Sequence, residues 1–180
     1  MHCPAVRPFP RECRLLTLSA LIAVLWSGCG TQAYRAVGVT TNQAAPDFVA
    51  KGLDSRSVSL ASLQGKVVVL FLWAAWECSD ELAALDDIAS RLPPQRTAIL
   101  AVSIDKSVDV VKKIAKSREH WALALLHEPT ADVARRYNPR GFPAAYLIDA
   151  GGRVRHAHYG VGGSHLRSIE AQVRELIAEN

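Results

Sequence analysis

Residues 67–85, VVVLFLWAAWECSDELAAL, change character twice. Val67 to Trp73 is an unbroken apolar run of strand length, as expected for a central strand covered on both faces. Trp73-Ala74-Ala75-Trp76 reads as a turn. Beyond it, Leu82, Leu85, Ile88, Ala89 and Leu92 recur at helical spacing, which predicts a helix over Asp80–Leu92 that Pro93-Pro94 stops. Glu77-Cys78-Ser79-Asp80 occupies the junction and carries one thiol. Dithiol–disulfide exchange needs an attacking and a resolving cysteine close together. The chain has strand, turn and helix around a single sulfur.

Working outward, the 180 residues suit one domain, and the apolar half of the composition is enough for one core. Residues 1–14 carry Arg7, Arg11 and Arg14 against one acid, Glu12. An apolar run, LLTLSALIAVLW, follows over 15–26 and leads to Ser27-Gly28-Cys29. A basic start, a short apolar stretch and small residues describe a signal peptide. As a helix the run would span about 18 Å, short of a bilayer core of about 30 Å. Leu25-Trp26-Ser27-Gly28-Cys29 resembles a bacterial lipobox, with Trp26 where leucine is usual. The expectation is a lipoprotein signal peptide over 1–28 and lipidation of Cys29. Ordinary cleavage nearby and an uncleaved anchor are the alternatives, and all three put the domain outside the cytoplasm. The small, polar stretch before residue 45 reads as a flexible tether over 29–44, and 45–180 as the folded domain.

This organisation leaves few roles for the cysteines. Cys3 and Cys13 fall in the targeting segment and Cys29 would carry lipid, so Cys78 is the one free thiol of the domain and no internal disulfide forms. Removing residues 1–28 takes three of 21 basic and one of 17 acidic residues, so the charge drops from +4 to +2. That near-neutral balance gives no support to nucleic-acid binding.

Along the domain, Val58–Leu60 is a short strand and Ser62–Lys66 a turn. Thr97–Ile104 is a second buried strand, and Val108–Arg118 a helix with Lys112, Lys113 and Lys116 on its wet side. Ala122–Leu126 is a short strand and Thr130–Tyr137 a short helix. A strand after Pro143 turns at Ala150-Gly151-Gly152 into Arg153–Tyr159, and Ser164 is placed to cap a last helix, His165–Ala178. The order implies an α/β fold, a mixed sheet with helices on both faces.

Residues 45–163 resemble the thioredoxin superfamily, and within it the membrane-anchored TlpA/ResA-like thiol–disulfide oxidoreductases and the related AhpC/TSA proteins. The matching pieces are Ala45-Pro46-Asp47-Phe48, Leu60–Lys66, the Trp73–Trp76 turn, Gly141-x-Pro143 and Tyr146-Leu147-Ile148-Asp149, in family order. The resemblance implies a thioredoxin-like fold, a cis Phe142–Pro143 bond facing the redox position, and a Phe142 backbone offered to an extended substrate chain, with Trp76 on the cleft rim.

The redox pair is where the chain departs. Aligned without gaps, Glu77 and Asp80 replace the two cysteines. With two residues deleted after Trp76, Cys78 takes the second cysteine's place, and Glu81, Leu82, Ala84 and Leu85 then match as well. Both versions forbid an intramolecular dithiol cycle. A helix N-terminus lowers a thiol pKa. Glu77, Asp80 and Glu81 act against that, because nearby negative charge raises it; Arg140 in the proline loop is a candidate counter-charge. The peroxiredoxin-like Pro-x-x-x-Thr/Ser-x-x-Cys motif is absent, Phe71 and Ala75 standing at its first two positions. His156 and His158 alternate on one strand face with His165 further along; they read as an exposed face rather than a metal site, and no cofactor is implied. Two readings follow. In the first, the chain is a binding module for an extended peptide or an extracytoplasmic partner protein, held on the periplasm-facing or cell-surface side of a bacterial membrane. The alternative is a single-thiol enzyme in which Cys78 forms mixed disulfides.

Overall fold

In the computed structural model, which describes residues 38–75 and 79–180, strand β3 (Val67–Trp73) is buried along its whole length. The reason is its pleat. Val67, Val69, Phe71 and Trp73 enter one hydrophobic core, while Val68, Leu70 and Leu72 enter a second on the opposite face. A strand filling two cores has no wet face, and this is why its sequence shows no polar alternation.

Around β3, seven strands among the described residues form one sheet in the order β2-β1-β5-β4-β3-β6-β7. β1 is Val49–Gly52, β2 Ser57–Ser59, β4 Thr97–Ser103, β5 Ala124–His127, β6 Ala144–Ile148 and β7 Val154–Tyr159. β3 runs parallel to β4 and β4 to β5; β6 pairs antiparallel with β3 and β7 with β6. Helices α1 (Ser79–Ser90), α2 (Val108–Ala115) and α4 (Gly163–Ala178) supply Leu82, Leu85, Val111, Leu166, Ile169 and Val173 to the first core. Helix α3 (Asp132–Tyr137) supplies Val133 and Tyr137 to the second. The expected mixed sheet with helices on both faces is therefore the observed one.

The second core is stitched by aromatic rings. Phe48 and Tyr137 lie 6.3 Å apart, Tyr137 and Tyr146 4.9 Å, and Tyr146 and Tyr159 6.1 Å. Tyr137 donates its hydroxyl to the Pro46 carbonyl at 2.9 Å, and Tyr146 to the Tyr137 carbonyl at 3.3 Å. Burial pushes both phenols above their ordinary pKa, so both remain neutral donors.

Several expected boundaries move. The domain begins earlier than residue 45. Val39 is buried and its N–H meets the Tyr137 carbonyl at 3.0 Å, Asn42 N–H meets the Val154 carbonyl at 2.6 Å, and Ala44 bridges Arg153. A Cβ on Gly38 would collide with the Asn138 carbonyl oxygen, so only glycine allows this approach. Residues 38–44 are thus part of the fold, not of the expected tether. β1 was not expected at all: Ala50 is buried, but Val49 is 59 % exposed and Lys51 exposed, so no apolar rhythm marks it. Its strand state comes from pairing with β2 and β5. Ser164 is not the cap of α4. The helix starts at Gly163 with Gly162 at the cap position, and the Gly162 N–H approaches His165 Nδ1 at 3.5 Å. α2 ends at Ala115, three residues before Arg118, whose side chain instead turns to α1. The signal segment, Cys29, Trp76, Glu77 and Cys78 lie outside the described residues.

Candidate functional site

Parallel strands point their C-terminal ends the same way, and in open α/β sheets that edge is where sites form. Here the register brings Trp73 of β3, Ser103 of β4 and His127 of β5 side by side on it. Leu72 pairs with Ala144, so one step further along the antiparallel ladder Pro143 falls beside Trp73. The Phe142–Pro143 bond is cis, as expected from the resemblance. Pro143 is buried, and its carbonyl accepts the Val161 N–H at 3.3 Å, which ties the loop to the segment leading into α4. Phe142 is half-buried against the second core.

β3 leaves this edge through Ala74 and Ala75, and α1 begins at Ser79. In the sequence Trp76, Glu77 and Cys78 stand between these two elements and lie outside the described residues. Of the acids expected near the thiol, Asp80 is exposed and Glu81 half-buried, both in the first turn of α1. Carboxylates there are favoured by the helix dipole. Arg140 is exposed in the proline loop.

At the same sheet edge lies a polar cluster that no motif in the sequence marked. Asp105 follows β4 and is 8 % exposed. Its Oδ2 accepts the Ala75 N–H at 3.0 Å and the Ser103 hydroxyl at 2.8 Å. Ser103 Oγ accepts in turn from the Asp105 N–H at 3.1 Å. The His127 ring donates Nε2–H to the Asp105 carbonyl at 2.7 Å, because a carbonyl can only accept. Ser103 and His127 do not form a nucleophile–base pair: the hydroxyl is directed at Asp105, and His127 at a backbone oxygen. The signal that could have found the cluster is Ser103-x-Asp105, polar residues ending an otherwise apolar parallel strand. Trp73 is core, as expected; its buried indole N–H has no partner among the described residues.

Other features lie apart from this edge. A groove of about 280 Å³, lined by Asp47, Leu60, Lys66, Ile148 and Gly152, opens at the opposite end of β3. The histidine face is not exposed as expected. His156 and His158 are half-buried; His158 Nε2 lies 2.8 Å from Gln172 Oε1 of α4, and its ring centroid is 5.7 Å from that of His165. Burial first, then His158 and Arg155, lowers the His156 pKa. Among the described residues no three His, Cys, Asp or Glu side chains gather in a way that would hold a metal ion. Among the same residues no helix is long and apolar enough to cross a membrane.

A cis-proline loop beside the C-terminal end of the central strand, on a mixed sheet of this order, defines a thioredoxin-like protein of the redoxin type. The AhpC/TSA family model matches residues 41–157, and the chain belongs to that family. It is 29 % identical over 140 residues to the thioredoxin-like protein YneN of Bacillus subtilis, covering 75 % of this chain and 81 % of YneN. It is 28 % identical over 143 residues to the thiol-disulfide oxidoreductase ResA of Geobacillus thermodenitrificans, covering 78 % and 80 % of the two chains. Among solved structures it resembles the exposed lipoprotein thioredoxin Etrx1 of Streptococcus pneumoniae, with a TM-score of 0.62 and 26 % identity over 72 % of this chain and 99 % of that one.

Proposed function

We propose that this chain is an extracytoplasmic, lipid-anchored member of the thiol–disulfide oxidoreductase-like redoxins that lacks dithiol exchange and binds an extended peptide or partner protein in its proline cleft. The observation that carries the reading is an intact cis Phe142–Pro143 loop beside the end of β3, in a chain whose sequence between β3 and α1 holds one cysteine, Cys78, and no second. Mixed disulfides formed by a lone thiol have no internal partner to resolve them. The anchor rests on Ser27-Gly28-Cys29 after the apolar run, and the likeness to a solved lipoprotein thioredoxin agrees with it.

The test is insulin reduction with dithiothreitol, where the expected rate equals that without protein. Turnover above that rate overturns the non-catalytic reading. Intact mass of membrane-extracted protein should show a diacyl or triacyl addition on Cys29; an unmodified N-terminus elsewhere removes the anchor. The second reading, a single-thiol enzyme, is favoured by the place of Cys78 immediately before Ser79, where α1 begins. A helix N-terminus promotes the thiolate. Stable trapping of Cys78 by glutathione disulfide near pH 6 would select it over the binding module.

A further inference from the structure

We propose that His158 and His165 form an acid-sensitive latch, in which charging the two rings releases the start of α4 and with it the Pro143 carbonyl. The geometry is a row of side chains between β7 and α4. His158 of β7 donates Nε2–H to Gln172 Oε1 of α4 at 2.8 Å, because an amide oxygen can only accept. Its ring meets that of His165 edge to face, with centroids 5.7 Å apart and planes at 71°. His165 stands in the first turn of α4, and its Nδ1 lies 3.5 Å from the Gly162 nitrogen at the helix start. One residue further back, Val161 is buried in the first core, and its N–H meets the Pro143 carbonyl at 3.3 Å. A short stretch of chain thus joins the histidine pair to the proline loop. That stretch has little else to hold it, since Gly162 offers no side-chain cap and Gly163 follows.

Neutral rings suit every neighbour in the row, and charged rings do not. A neutral imidazole keeps a lone pair on one nitrogen, and on His165 the nitrogen that faces the Gly162 N–H is Nδ1. The charged ring carries N–H on both nitrogens, so Nδ1–H would be set against N–H. It also places a cation in the first turn of a helix, where the dipole favours anions. A charge on His158 faces that cation across 5.7 Å, in a half-buried place that solvent screens incompletely. Histidine is the side chain that changes charge between pH 5 and 8. The remaining charged groups of this face gather around Arg155 and His156. Arg155 of β7 meets Glu179 of α4 at 2.8 Å and Asp149 at 3.6 Å. His156 of β7 is set against Glu175 and Glu179 of α4 and against Arg155 and His158 of its own strand. From β6, Ala145 pairs with His158 and brings no charge. Arg167 and Glu170 of α4 line a groove with Asp87 and Arg91 on the α1 side, and Arg140 is exposed in the proline loop. The latch depends on this geometry alone; its bearing on binding rests on the reading of the proline loop as the cleft wall.

The experiment is amide hydrogen exchange on the full-length chain, read by peptide-resolved mass spectrometry and corrected for the intrinsic pH dependence of exchange. In the wild type, protection of residues 160–163 should fall by about tenfold or more from pH 7.5 to pH 5.0, while that of β3 is kept. His165→Asn keeps an acceptor near the place of Nδ1 and His158→Gln keeps a donor near that of Nε2, and neither replacement can be charged. The double variant should hold its protection within about twofold over the same range. His156→Gln should leave the wild-type fall intact. A wild-type change below about twofold overturns the proposal, and so does an equal loss along β3, which is global unfolding. A double variant that keeps the fall overturns it, as does a His156→Gln variant that abolishes it. Should the double variant fail to fold, His165→Asn alone decides by the same criterion, because it removes the ring that faces the helix start. Neither insulin turnover nor peptide binding enters the readout, so failure here leaves the proposed function standing, and failure of that function leaves this result intact.

Discussion

Asp86 and Asp105 are both buried carboxylates that accept backbone N–H groups, at 4 % and 8 % exposure, and they sit in opposite circumstances. Asp86 Oδ1 accepts Ala122 N–H at 2.7 Å and Leu123 N–H at 3.0 Å, while Arg118 donates to Oδ2 at 3.0 Å and to Asp87 at 2.8 Å. It clamps α1 to the lead-in of β5 with its charge matched, and Arg118 also stacks 5.5 Å over Trp121. Asp105 has the amide and the hydroxyl but no guanidinium. The lesson is that burial of an acid does not by itself mark function. What separates the two is that one joins two elements with a cation, and the other takes the Ala75 amide at the end of β3 with no cation among the described residues.

The largest expected effect is on the matched site. Asp86→Ala strands two backbone amides and leaves Arg118 with Asp87 alone, and should cost about 3–5 kcal/mol in urea unfolding. A loss below about 1 kcal/mol would mean that the clamp is dispensable and the comparison is void. Next, Arg118→Met removes the cation and leaves Asp86 with uncharged donors alone, as Asp105 is among the described residues. Its expected cost in urea unfolding is smaller than that of Asp86→Ala, because Asp86 keeps both backbone donors. If Arg118→Met is neutral, the presence of a cation no longer distinguishes the two sites.

A smaller effect belongs to Glu170 of α4, a pairing at the surface rather than in the core. Arg91 donates to it at 2.6 Å and Arg174 at 2.9 Å, and these bonds hold its pKa at about 2, against an ordinary 4.5. A depressed carboxylate contributes stability that is full above 4.5 and lost as pH falls through about 2. The stability difference between wild type and Glu170→Gln should therefore be constant from pH 6 to 5 and vanish near pH 2. A difference that persists in acid would assign the effect to packing. The smallest effect is that of His156, whose lowered pKa favours the neutral ring in the folded state. Its contribution is present above the ordinary value of 6.5 and lost as pH falls below it. His156→Gln should flatten the stability profile between pH 7 and 5; an unaltered slope would show that His156 does not carry it.

The strands and helices that pack on both sides were legible because packing writes itself into composition. β3 was bounded correctly since a strand between two cores must be apolar at every position, and Pro143 was recognised from its place before Tyr146-Leu147-Ile148-Asp149. β1 was illegible because one buried alanine is all the core asks of it. The histidine face misled for a related reason. Alternation on a strand fixes which residues share a side, and says nothing about whether a helix covers that side.

The sequence by itself determined the order of elements, the doubly buried strand, the cleft proline and the presence of one thiol where exchange needs two. These depend on residue type and near-neighbour spacing. Only the tertiary structure decided that residues 38–44 belong to the domain, that Gln172 of α4 meets His158, and that Asp105 reaches back to Ala75 across 30 positions of chain. Such contacts join groups brought together by strand register, and no local pattern encodes a partner that arrives from another strand.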